Sequence, residues 1–194
     1  MRTLLFTLLL MLAFTGIKAQ DFNKYLADAR SSYSSKKLDD SRFAMQQMLQ
    51  ELDVMAGKDL LKILPVKLDA LSANTSNDNV TGNSGFAGIM IYRDYGAGDK
   101  TAEIEIIGNS PVMASVNALL TLPFGQSNGD SKIMKVDGYK ALLRKTVSDT
   151  NTVSYEIQVP LTSSLLTLKV NGLSEDAVQK LAATLPVAKL VNLL

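Results

Sequence analysis

Glu103 and Glu105 stand two residues apart in the alternating stretch Thr101 to Ile107, and Arg93 and Asp94 lie on the strand-like stretch before it. Two carboxylates on one strand face can do acid–base work where burial separates their pKa values. The plainer expectation is a solvated sheet face with a cross-strand contact between Arg93 and Glu103, worth about 0.2–1 kcal/mol, because no third polar partner accompanies them. Tyr92, Tyr95, Tyr139 and Tyr155 add phenols that either line a binding surface or pack in the sheet with their hydroxyls at the rim. The candidate binding surface is therefore Tyr92, Arg93, Tyr95, Glu103, Glu105 and Tyr139.

Other chemistry is limited by what the chain lacks: it contains no histidine and no cysteine. That excludes a serine–histidine triad, a thiol nucleophile, histidine-ligated zinc and cysteine-held iron–sulfur clusters. Ser34 and Lys37 fit the Ser-x-x-Lys spacing of some acyl-transfer enzymes, but in SSYSSKKLDD such a match follows from composition. Gly57-Lys58 lacks the preceding glycine and the following Ser or Thr of a phosphate loop, and reads as a helix end. Asn74, Asn77, Asp78, Asn79 and Asn83 offer oxygen ligands for calcium without the closing glutamate, so a polar loop is the expectation. Met45, Met48 and Met55 with Phe43 form either an adaptable groove or an ordinary core stripe. No catalytic residue, metal site or cofactor is assigned.

The positioning elements follow from periodicity. Phe22, Tyr25, Leu26, Ala29 and Tyr33 recur at helical spacing behind Asp21, and Met45, Met48, Leu49, Leu52, Met55 and Ala56 do so on a second, longer helix. Residues 72–84, SANTSNDNVTGNS, are almost wholly polar and read as a linker. Beyond them the period becomes alternating. Phe86 to Tyr95 and Thr101 to Ile107 flank GAGDK as a hairpin, with Ala102, Ile104 and Ile106 inward. Ser110-Pro111 opens a helix carrying Met113, Val116 and Leu120, and Gly125 follows its end. Asp137-Gly138 is a tight-turn dipeptide between strands, and Val153 to Val159 and Leu166 to Val170 add two more. Ser174 caps a last helix whose Val178, Leu181, Ala182 and Leu185 face inward, with Leu173 as a staple. The expected architecture is α+β: N-terminal helices, then an antiparallel sheet of about five strands with helices packed on one face. The segments are 1–19, 20–71 helical, 72–84 linker and 85–194 sheet domain.

Residues 1–19 decide the compartment. Arg2, the apolar run Leu4 to Phe14 and Ala19 before Gln20 follow the grammar of a secretory signal peptide. As a helix that run reaches about 16 Å, half the hydrocarbon core of a bilayer. Cleavage between Ala19 and Gln20 is the expectation, and without cysteine the new terminus carries no lipid anchor. No later apolar run is long enough to span, so no stable membrane insertion of the mature chain is expected. Losing Arg2 and Lys18 takes 20 basic residues to 18 against 19 acidic ones, a net charge of −1. That balance speaks against a nucleic-acid partner. An exported chain without disulfides suits a bacterial envelope protein, periplasmic or secreted.

The helical lead ending in Leu64-Pro65, the Tyr92-Arg93 and Tyr95 strand, Ser110-Pro111 with Met113, and Gly172 before the final helix give the mature chain a likeness. It resembles a broad group of small exported bacterial proteins without an assigned activity. The resemblance implies an envelope location and this fold, and brings no catalytic motif. The functional expectation is a non-catalytic binding module whose partner is an envelope protein or an apolar ligand. A carboxylate-dependent hydrolase and a carrier of a hydrophobic ligand are the alternatives.

Overall fold

The computed structural model describes residues 20–83, 88–121, 130–148 and 151–193. The leader and Gly125 lie outside them. The chain divides between Leu52 and Asp53 into two compact units.

In the first unit, α1 (Gln20–Ser34) and the start of α2 (Leu38–Ile63) form a helical hairpin. Lys36 turns the chain with φ 59°. The two helices meet through small residues: Ala29 and Ala44 are buried, and the buried Ser41 Oγ donates to the Ala29 carbonyl at 3.0 Å. Asp39 and Asp40 in the first turn of α2 and Lys62 in its last complement the helix dipole. A cavity of about 260 Å³ opens among Leu26, Ala29, Arg30, Tyr33, Met45 and Met48.

Two short paired strands, β1 (Lys67–Leu68) and β2 (Leu71–Ser72), begin the β-structure of the second unit. The main sheet contains β3 (Asn79–Asn83), β4 (Gly88–Ala97), β5 (Lys100–Gly108), β6 (Ser131–Val136), β7 (Tyr139–Val147), β8 (Val153–Pro160) and β9 (Ser164–Asn171). Their order is β3-β4-β5-β9-β8-β7-β6, with every neighbouring pair antiparallel. Two meanders thus meet where β5 pairs with β9. The α+β class and the antiparallel sheet agree with the sequence reading, but there are seven strands rather than about five. The added edge strand, β3, comes from the stretch read as linker.

Ala102, Ile104 and Ile106 of β5 point into one core with Leu166, Leu168 and Val170 of β9 and Ile157 of β8. Leu60 and Leu64 of α2 join it, as do Val178 and Leu181 of α4 (Glu175–Ala182) and Val187 and Leu190 of α5 (Val187–Val191). The opposite face carries a second, smaller cluster, in which Val116 and Leu120 of α3 (Met113–Leu120) pack on Ile133, Leu142 and Leu165. Helices therefore occupy both faces, not one. The reason lies in β7, where Ala141, Leu142 and Leu143 are consecutive buried residues and so place apolar side chains on both sides of the sheet.

Local signals at the helix ends vary in accuracy. Ser174 caps α4, accepting from the Ala177 N–H at 3.4 Å. Ser110 does not cap α3, which begins after a turn closed by Met113 N–H to the Ser110 carbonyl at 3.1 Å. Gly57 lies inside α2 rather than at its end, because a Cβ there would run into the Val80 and Ile89 side chains. Its missing side chain lets the helix settle against β3 and β4.

Candidate functional site

The pleat of β4 splits the candidate surface in two. Tyr92 pairs across to Glu105 and Asp94 to Glu103, while Arg93 pairs with Ile104 and Tyr95 with Ala102. Tyr92, Asp94, Glu103 and Glu105 consequently share one face, opposite the large core. Arg93 and Tyr95 point into that core and are 5% and 0% exposed. The expected Arg93–Glu103 contact does not form, since the two side chains leave opposite sides of the sheet. Tyr139, on β7 beside Val136, packs partly buried against the large core and does not join Tyr92.

Arg93 instead forms a buried fork. Its Nε donates to Asp78 Oδ1 at 2.8 Å, its Nη2 to Asp78 Oδ2 at 2.6 Å, and its Nη1 to the Leu64 carbonyl at 2.9 Å. Hydrogen bonding to Asp78 raises the guanidinium pKa despite desolvation. Beside it, the Tyr95 hydroxyl donates to the Pro65 carbonyl at 2.9 Å, and burial pushes its pKa up to about 12. These bonds satisfy carbonyls freed where α2 ends before Pro65. Arg93 and Tyr95 are structural residues.

The asparagine-rich stretch has a similar role. Asn74 Nδ2 donates to Asp94 Oδ2 at 2.7 Å and to the Gly96 carbonyl at 2.9 Å, and Asn77 Nδ2 reaches the same Asp94 oxygen at 3.3 Å. Both Asp78 oxygens are taken by Arg93, so the calcium reading has no charged ligand left. Among the described residues no group of three or more acidic, histidine or cysteine side chains is placed to hold a metal. Ser34 Oγ donates back to the Arg30 carbonyl at 2.9 Å, an ordinary helix-end contact rather than a Ser–Lys dyad.

What remains on this face of β4 and β5 is a half-buried group of carboxylates, with Lys169 of β9 in register beside Glu103. Asp94, Glu103 and Glu105 form no ion pair with Lys or Arg among the described residues. Tyr92 sits among them, and its phenol pKa is raised by burial first and then by Glu103, Asp94 and Glu105. Asp94 Oδ1 is buried without a hydrogen-bond partner. Parity along the strand would have separated these residues: 89, 91, 93 and 95 share a side, as do 90, 92 and 94.

A cavity of about 220 Å³ was not anticipated. Asp53, Asn109, Ser163 and Ser164 line it, with Gly88 and Gly108 exposing backbone. Desolvation raises the Asp53 pKa above its ordinary 3.8. A folded-state value above the unfolded one makes folding bind a proton between the two, so stability falls as pH rises through that window. Asp53→Asn is therefore expected to raise the melting temperature at neutral pH, with the gain vanishing towards pH 3.8. Calorimetry across that range checks it, and a gain that does not change with pH contradicts it.

Comparison with other proteins adds no assignment. No family model, curated protein or solved structure matches this chain. Among the described residues no helix is long and apolar enough to cross a membrane.

Proposed function

We propose that the chain is an exported, non-catalytic binding module of the bacterial envelope, which engages a cationic segment of another macromolecule through the acidic face of β4 and β5. The observation that carries this reading is the pair Glu103 and Glu105 beside Tyr92, with no Lys or Arg ion pair among the described residues. Lys169 of β9 stands in register beside Glu103 without closing an ion pair, and a cationic partner would add counter-charge at Glu105 and steer the encounter.

An oligolysine peptide is the probe. Titration calorimetry is expected to detect binding that weakens with added salt, and Glu103→Gln with Glu105→Gln should weaken it about tenfold, two half-buried contacts of about 0.7 kcal/mol each. Circular dichroism should stay unchanged. Equal binding by the variant removes this surface from the interaction. Export is tested separately: N-terminal sequencing of protein from fractionated cells should begin at Gln20.

A further inference from the structure

The cavity beside Asp53 has its cause in the sheet register. On the large-core side, Ile104 of β5 pairs with Leu168 of β9 and Ile106 with Leu166, but the next inward pair is Gly108 with Ser164. Two bulky pairs give way to one with almost no side-chain volume, and a hollow of about 220 Å³ opens where the sheet stops filling its own core. Asp53, Ala56 and Leu60 close it from one face of α2, at intervals of three and four residues. Every lining residue belongs to the second compact unit.

The lining is of two kinds. Ala56, Leu60, Ile89 and Leu193 are apolar, whereas Asp53, Asn109, Ser163 and Ser164 bring side-chain oxygens. Ser164 is 1% exposed, yet its hydroxyl has no hydrogen-bond partner among the described residues. The Asp53 carboxylate has neither an ion pair nor a hydrogen bond among them, and burial alone raises its pKa, with no cation acting against it. Leaving a buried hydroxyl and a half-buried carboxylate unpaired costs folding free energy. One ligand group satisfies both. A primary ammonium carries the opposite charge and three N–H donors, enough for the carboxylate, the Ser164 hydroxyl and the Asn109 side-chain carbonyl.

We propose that this cavity binds a small primary alkylammonium ion, with its ammonium on Asp53 and Ser164 and its alkyl chain against Leu60, Ile89 and Leu193. A cavity of about 150 Å³ holds benzene, so this one has room for about six to eight non-hydrogen atoms. A metal ion fits less well, because Asp53 is the one charged side chain of the described lining and apolar side chains make up much of the rest. An anion finds no cationic side chain among the described lining residues.

This site does not depend on the carboxylates of β4 and β5. Pentylammonium chloride is the probe, followed by the amide NMR shifts of the mature chain, residues 20–194. Titration should move the amides of Ile89, Asn109 and Ser164 saturably, with a dissociation constant on the order of millimolar, as a ligand of about six non-hydrogen atoms allows. Asp53→Asn should weaken binding at least about tenfold. That variant is expected to be the more stable protein at neutral pH, so its lost binding is not a lost fold. Ser164→Val, which fills the hollow with an apolar side chain, should abolish binding with unchanged circular dichroism; if it does not fold, Asp53→Asn decides alone. 1-Pentanol should bind at least about tenfold more weakly than pentylammonium, since it lacks the charge. Equal binding of the alcohol and the ammonium overturns the proposal, and so does undiminished binding by Asp53→Asn. Shifts that do not move at about 50 mM pentylammonium, well above a millimolar dissociation constant, overturn it too. The same shifts with sodium chloride alone would give the site to an inorganic cation. Glu103→Gln with Glu105→Gln should bind pentylammonium like wild type and Asp53→Asn should bind oligolysine like wild type, which keeps the two tests separate.

Discussion

Asp78→Ala is expected to cost about 3–5 kcal/mol of folding stability, read as a shift of the urea midpoint. The Arg93 side chain is 7% exposed and its charge is balanced by Asp78. Arginine does not shed its proton, so removing the carboxylate leaves a buried cation with neutral partners alone, the Leu64 carbonyl and the adjacent Tyr95 hydroxyl. The reverse change, Arg93→Leu, should cost less, about 1–3 kcal/mol. Asp78 is 14% exposed and recovers water more readily, and the main loss is the donor to the Leu64 carbonyl. This asymmetry separates a buried charge from a surface contact. Equal and small losses, below about 1 kcal/mol for both variants, would mean that the pair is effectively solvated.

Gly172→Ala is expected to cost about 2–4 kcal/mol, combining backbone strain with a steric conflict. Gly172 has φ +70°, and a Cβ there would collide with the backbone carbonyl of Asp99 in the β4–β5 turn. No side-chain rotation relieves that conflict. Gly98 in the same turn has φ +63° but open space around it, so Gly98→Ala should cost only about 1 kcal/mol, the strain alone. Chemical denaturation of the two variants isolates the crowding term, and equal costs would show that the turn yields freely. Asp99 belongs to the hairpin that carries Tyr92, Asp94, Glu103 and Glu105, so Gly172→Ala should also weaken oligolysine binding.

Elements whose cause is local were legible in the sequence. Ser174 caps α4 as its side chain requires, and Asp137-Gly138 turns with φ 48° and 85°, the left-handed pair that such a dipeptide tolerates. Ala102, Ile104 and Ile106 face inward with Glu103 and Glu105 outward because strand side chains alternate strictly. The same alternation placed Arg93 inward with Ile91, and reading its charge as a surface label obscured that. Burial of an arginine depends on an acceptor 15 residues away in sequence, Asp78, which local pattern does not reveal.

Composition alone determined that this protein has no imidazole or thiol chemistry, and periodicity determined that helices precede an antiparallel sheet. Tertiary structure decided which side of each strand met a core, that residues 79–83 were an edge strand rather than a linker, and that α3 packed opposite α4 and α5. Those outcomes turn on long-range pairing. An edge strand has one hydrogen-bonding neighbour and needs little apolar surface of its own, so its partner specifies it more than its own residues do.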